Sequence, residues 1–238
     1  MDTRRVVAIV SGGMDSVTLA YHLHDGGYEL HLVSFDYGQR HRRELTMAVR
    51  AALALDVEHS IVELPITGLI PTSALTSDTD VPEGHYAEDN MRITVVPNRN
   101  MTMLSVAGAI AVAEEAVFVA TANHAGDHFI YPDCRPEFIQ ACSAALMVGN
   151  IGFSAPGFEG IKAPFINISK ASIVEIGHGL HVPWADTWSC YQGNEVHCGR
   201  CGTCVERAEA FSLAKVEDPT TYADPDFWRG AVADYAAR

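Results

Sequence analysis

Apolar runs alternate with amphipathic stretches through the first half of the chain. Arg5–Val10 is almost continuously apolar, the pattern of a strand buried on both faces. Ser16–His24 carries helical spacing and stops at Gly26 and Gly27. Tyr28–Phe35 predicts a second strand, 42–55 a second helix, and His59–Leu64 a third strand. Between Pro65 and Asn98 the periodicity gives way to Pro, Thr, Ser, Asp and Gly, which predicts a long loop or lid. It returns over Asn100–Glu115, where Met103, Leu104, Ala107, Ile110 and Ala111 fall at helical spacing, and Val117–Ala122 predicts another strand. Such alternation predicts an α/β fold with a doubly wound parallel sheet. After Gly149 it fades, and Ser169 is placed to cap a helix reaching about Gly177.

Ligands of such sheets sit at the carboxyl ends of the strands. Polar clusters stand at three of those ends: SGGMDS after the first strand, DYGQRHRR after the second, NHAGDH after Ala122. The first suits an anion held on backbone N–H groups at a helix start, although a tight strand-to-helix turn capped by Ser or Asp has the same residues. No lysine follows, so it is not a Walker loop. A phosphate cradle without that charge favours chemistry at the α-phosphorus, with pyrophosphate as the leaving group.

Composition narrows the partners. Against 30 acidic residues stand 16 Lys and Arg, a net charge of −14 that argues against direct nucleic-acid binding. A small anion can still bind where Arg40, Arg42, Arg43, Arg99, Arg135, Lys162 or Lys170 gather. The apolar run before the glycines is too short for a signal peptide, and no stretch of about 18 apolar residues predicts a membrane span. A cytoplasmic location follows as the expectation, and there cysteines serve as thiols or metal ligands more often than as disulfides.

The segment HVPWADTWSCYQGNEVHCGRCGTCVERAEAF differs from everything before it. Cys190, Cys198, Cys201 and Cys204 fall within fifteen residues, the last three as two overlapping Cys-x-x-Cys pairs. Such turns present thiolates to zinc in pairs, and four thiolates make a closed, structural Zn2+ site. A redox pair, a disulfide knot, or His197 in place of one cysteine are the alternatives. Cys142 follows a helical pattern and reads as packing. The organisation expected is a sheet domain over 1–165 and a small helical zinc-binding region over 166–238.

SGGMDS resembles the pyrophosphate loop of the N-type ATP pyrophosphatases, which are Rossmann-like folds of the adenine nucleotide α-hydrolase type. Together with FDYGQRHRREL, VPNRNM, YPDCRPEF, ISKASIVEIG and the cysteine segment, it resembles the 7-cyano-7-deazaguanine synthase family from Val6 to about Pro219. The resemblance implies an ATP-dependent C–N ligase that turns 7-carboxy-7-deazaguanine and ammonia into the nitrile, a queuosine precursor, through adenylated intermediates. It implies ATP and Mg2+ alongside Zn2+, and a homodimer suits it. Carried over by residue, Val10, Ser11, Gly12, Gly13, Met14, Asp15, Ser16, Val17, Thr18, Leu19 and Ala20 would wrap ATP. Asp15, Ser16, Arg99 and Lys170 would act in catalysis, Asp15 as a magnesium or loop-ordering ligand, with a helix cap as its plainer role. Asp36, Gln39, Tyr131, Asp133 and Arg135 would meet the substrate; Tyr131 or Phe129 could stack on the ring. Cys134 reads as packing rather than as a nucleophile, and His124 and His128 flank Asp127 in the loop after Ala122. Two rivals remain: another adenylating ligase or thiolase of the same superfamily, and a non-catalytic nucleotide-binding zinc protein.

Overall fold

A computed structural model describes residues 4–66, 70 and 72–238. Five strands form one sheet: β1 (Arg5–Ile9), β2 (Glu29–Asp36), β3 (Glu58–Glu63), β4 (Phe118–Ala120) and β5 (Ile161–Lys162). Their order is β3-β2-β1-β4-β5, and every pairing is parallel. β5 escaped the sequence pattern because two residues between Gly160 and Ala163 carry no periodicity.

Side chains alternate across the central strand and give the sheet two dry faces. Val6, Ala8 and Val10 point into a core with α1 (Met14–Asp25), α2 (Arg43–Leu55), α5 (Lys170–Gly179) and α6 (Gly202–Ala214). Val7 points into the opposite core with α3 (Arg99–Ala113) and α4 (Pro136–Gly149), where Cys142 packs as its helical spacing predicts. Helices on both faces make the sheet doubly wound.

Phe165, Ile173, Val174, Trp184, Ala210 and Phe211 share the first core with β1 and α1. Residues beyond 165 are therefore built into the body of the fold and are less of an appendage than their composition suggests. Arg207, fully buried on α6, is held by Asp218 at 3.1 Å and donates to Thr187 Oγ1 at 2.7 Å and to the Trp184 carbonyl at 3.1 Å. A last helix, α7 (Phe227–Ala236), packs on α6. No described helix is long and apolar enough to cross a membrane.

Of the predicted loop over 65–98, positions 67–69 and 71 lie outside the described residues. The rest is laid against the cysteine segment: Glu83 bridges Cys201, and Gly84 N–H donates to the Arg200 carbonyl at 3.0 Å. A short 3-10 turn, Asp89–Thr94, leads from it into α3.

Candidate active site and metal centre

The carboxyl edge of the sheet carries two adjoining cavities. They share Ser11, Gly13, Asp15, Glu44, Asp127, Tyr131 and Tyr191 as a common wall. The first enclosure, about 860 Å³, continues to Met14, Tyr86, Lys170, Trp188 and Glu206. The second, about 960 Å³, continues to Val10, Ser16, Tyr37, His41, Arg99, Asn123 and Cys134.

The loop between β1 and α1 is the floor of both. Helix α1 makes its first backbone bond from Val17 N–H to the Gly13 carbonyl at 3.0 Å, and Gly13 offers no side chain to cap it. The N–H groups of Met14, Asp15 and Ser16 thus precede the helical ladder and are free to meet an anion. Two hydroxyls brace the loop from within: Ser16 Oγ donates to the Gly13 carbonyl at 3.1 Å and accepts from Ser11 N–H at 3.2 Å, and Ser11 Oγ accepts from Gly13 N–H at 3.3 Å. Gly12 meets a packing constraint as well. Its φ is +96°, and a Cβ there would stand 2.0 Å from the Glu44 carbonyl, so it is glycine to let α2 approach. Val17, Thr18, Leu19 and Ala20 correct the sequence reading. All four are wholly buried, Val17, Leu19 and Ala20 in the core, with Thr18 Oγ1 donating to the Met14 carbonyl, and they carry the loop without facing either cavity.

Charges converge on the first cavity. Lys170 Nζ stands 2.5 Å from Glu206 Oε2 and 3.3 Å from Asp15 Oδ2. Burial pulls this ammonium down, but Asp15, Glu206 and Asp127 outweigh it and hold it above its ordinary range. His124 caps its own turn by accepting from Gly126 N–H with Nδ1 at 3.0 Å. Its Nε2 then faces Asp127 at 3.5 Å, Glu206 at 3.9 Å and Asp15 at 4.0 Å. Asp15 Oδ1 is buried without a hydrogen-bond partner. Asp15 is therefore no helix cap: one oxygen serves Lys170 and the other is unclaimed.

The second cavity is framed by aromatic rings and one guanidinium. Arg99 lies over the Tyr37 ring at 5.6 Å and donates to its hydroxyl at 3.2 Å, and no described carboxylate pairs with it. Tyr131 stands in both cavities, its hydroxyl 2.7 Å from Thr94 Oγ1. Cys134 is buried, which pushes its thiol up, away from a nucleophile's thiolate.

Several expected substrate residues line neither cavity. Asp36 pairs with Arg42 and accepts from Gly38 N–H at 3.1 Å, so it shapes a turn. Gln39 is buried and spends its amide on Tyr37 N–H, the Phe35 carbonyl and Glu44. Arg135 Nε donates to the His128 carbonyl at 3.0 Å, and the Asp133 carbonyl accepts from Asn100 at 3.3 Å; both hold the loop that presents Tyr131 and Cys134. Phe129 is 67% exposed on an outer groove. Of the basic residues expected to gather, only Arg99 and Lys170 reach the cavities. Conversely, Glu44, Asp127, Glu206, Tyr37 and Tyr191 escaped the sequence reading as site residues; Glu206 had one signal, a charge next to the cysteines on a helix face turned inward.

Beside the first cavity the four cysteine sulfurs lie within 4.8 Å of one another, with Cys190, Cys201 and Cys204 fully buried. Cys198 N–H donates to Cys190 Sγ at 3.4 Å, and Arg200 and Cys201 N–H to Cys198 Sγ at 3.3 Å. These donors favour thiolates, and the set is able to hold a metal ion. Gly199, at φ +80°, makes the knuckle: a Cβ would meet the Asp224 carbonyl at 1.9 Å. His197 stands aside from the set. Its Nε2 accepts from Ser189 N–H at 3.1 Å, its ring packs on Trp188, and burial pushes it down to about 4. One strut joins the start of the cysteine segment to the loop after β1, Trp188 N–H donating to the Gly12 carbonyl at 2.9 Å.

A family model described as "Queuosine biosynthesis protein QueC" matches residues 5–215. The chain belongs to the QueC family. It is 55% identical over 229 residues to the 7-cyano-7-deazaguanine synthase of Ruegeria pomeroyi, covering 96% of this chain and 98% of the relative. It is 51% identical to that of Rhizobium leguminosarum bv. trifolii, at 98% of both chains. Among solved structures, NMN synthetase from Francisella tularensis superposes with a TM-score of 0.51 at 14% identity, over 96% of this chain and 85% of that one, a likeness of fold. The QueC match takes in both cavities and all four cysteines, since it runs past Glu206.

Proposed function

We propose that this chain converts 7-carboxy-7-deazaguanine and ammonia into 7-cyano-7-deazaguanine, driven by ATP and passing through the amide. Membership of the QueC family supports it, and the observation that carries it is the wall shared by the two cavities. A nucleotide held on one side of the β1–α1 loop and a carboxylic acid on the other would meet at that wall.

The chemistry requires such a meeting. A carboxylate is a poor electrophile, and oxide cannot leave. The substrate oxygen attacks the α-phosphorus of ATP, pyrophosphate departs, and the carbonyl carbon then bears AMP. Ammonia displaces AMP to give the amide. Adenylation of the amide oxygen in a second turn removes the remaining oxygen and leaves the nitrile.

In this reading the N–H groups of Met14, Asp15 and Ser16 receive the departing pyrophosphate. Lys170, held between Asp15 and Glu206, borders the departing pyrophosphate. Arg99 takes the substrate carboxylate, and Tyr131 stacks on or borders the deazaguanine. Asp15, whose Oδ1 is unclaimed, would meet Mg2+, which neutralises phosphate charge when bound. Cys190, Cys198, Cys201 and Cys204 would hold Zn2+ in a structural role. A cytoplasmic location, a homodimer and a division near residue 165 complete the proposal.

The test is incubation with ATP, ammonia and the carboxylic acid, followed by mass spectrometry. The expected products are the nitrile with AMP and pyrophosphate, and a transient amide. ADP and phosphate, or an unchanged acid, would overturn the reading.

A further inference from the structure

Glu44 occupies a peculiar place for a carboxylate. It stands in the first turn of α2, on the wall common to both cavities, and its side chain is 12% exposed. Carboxylates that deeply set are normally paired with a cation. Among the described residues no lysine or arginine lies within 4 Å of it. Its neighbours are Gln39 Nε2 at 3.2 Å and His41 Nε2 at 3.4 Å, both on the Oε1 side. His41 is itself buried, lowered to about 3 by that burial and by Arg99 and Arg40, so it brings no charge.

The titratable groups that share its wall come from every element around it: Tyr37 just after β2, Asp15 from α1, Arg99 from α3, Asp127 and Tyr131 from the segment after β4, and Tyr191 from the cysteine segment. Burial pushes its carboxyl up to about 8, against the opposing pull of Gln39 and Arg99. A structural role would call for a partner; a role in proton transfer calls for this isolation.

The reaction proposed above, on which this inference rests, has an unassigned requirement at the same place. Nitrogen enters as ammonia with three protons and leaves as a nitrile with none. In the first turn its lone pair forms the C–N bond, the C–O bond to AMP breaks, AMP leaves with the electron pair, and nitrogen sheds one proton. In the second turn the amide oxygen forms a bond to the α-phosphorus as pyrophosphate leaves; nitrogen then sheds two protons as the C–O bond breaks and the third C–N bond closes.

We propose that the Glu44 carboxylate accepts these protons, at the seam between nucleotide and acid, and passes each to solvent through the open cavity. Gln39 and His41 are positioning residues that meet its Oε1 and leave Oε2 outside those contacts.

Supplying the amide with ATP isolates the second turn and removes the ionisation of ammonia from the measurement. The native rate of nitrile formation is expected to rise with pH and level off above about 8. Glu44→Gln is expected to lower it about 100-fold or more and to flatten that rise, as loss of a general base does. Exchange of labelled pyrophosphate into ATP, measured with the carboxylic acid and no ammonia, needs no base, and in Glu44→Gln it should fall by less than about tenfold. Glu44→Asp should recover part of the nitrile rate. Nitrile formation by Glu44→Gln within about threefold of native, or with the native pH rise, would overturn the proposal. So would loss of exchange in a Glu44→Gln protein of native melting temperature, which would assign Glu44 to adenylation. Absence of exchange in the native protein is a separate result that removes the adenylating function itself.

Discussion

Lys170 stands 3.3 Å from Asp15, so the first turn of α5 closes over the loop that follows β1. Residues 155 positions apart thereby build one charged floor, and Glu206 on α6 completes it at 2.5 Å.

That floor separates two kinds of loss. Asp15→Ala leaves Lys170 paired with Glu206, so folding should be spared while adenylation falls by roughly 10²–10³, the usual weight of one preorganised electrostatic contact. Lys170→Met strands two carboxylates and should lose melting temperature as well. Pyrophosphate exchange and calorimetry on both variants check this; near-native exchange in Asp15→Ala would return Asp15 to a merely structural role.

Reduced, carefully purified protein should carry one zinc per chain by elemental analysis. Cys204→Ser should lose it and destabilise the C-terminal third, because structural metal contributes folding free energy directly. His197→Ala should keep it, since His197 Nε2 is already engaged with Ser189. Protein without zinc, or a metal lost only in His197→Ala, would refute the four-cysteine set.

Asp218 neutralises the fully buried Arg207 and also accepts from the Tyr222 hydroxyl at 2.6 Å. Asp218→Ala leaves a guanidinium without its counterion and should cost about 3–5 kcal/mol. Burial pushes the Asp218 carboxyl up, but Arg207 and the hydrogen bonds outweigh it and hold it below its ordinary value. Its stabilisation is thus complete above the unfolded-state value and lost as pH falls through the lowered one. Denaturation curves of native protein and variant should stay apart at neutral pH and converge only below about pH 4.

Carboxylic acid labelled with oxygen-18 tests which bond to phosphorus breaks. Attack at the α-phosphorus delivers label to AMP and leaves pyrophosphate unlabelled, and the second turn delivers the remaining label in the same way. Label in inorganic phosphate, with ADP formed, would place the chemistry at the γ-phosphate.

The parallel sheet was legible because strands buried on both faces read as unbroken apolar runs, and the helices because their spacing repeats. The loop and the cysteines were legible because their chemistry is packed into a few neighbouring positions. Glu44 and Glu206 were not. Each is an acidic residue on an ordinary helix, with nothing in its spacing to mark it, and only the packing of α2, α5 and α6 against the sheet brings them to one site. Gly12 carries a constraint that the motif does not reveal: it also makes way for a helix. Asp36, Asp133 and Arg135 misled because residues that shape a loop share the polarity of residues that touch a ligand.

With zinc in the four-cysteine set, as proposed, the strut from Trp188 to Gly12 would tie catalytic competence to the supply of a trace element. An oxidant or chelator acting on the thiolates would not need to enter either cavity to stop turnover; by loosening the knuckle it would unfasten the phosphate loop from behind. Scarcity of zinc would then be felt as scarcity of the nitrile, well before the sheet itself came apart.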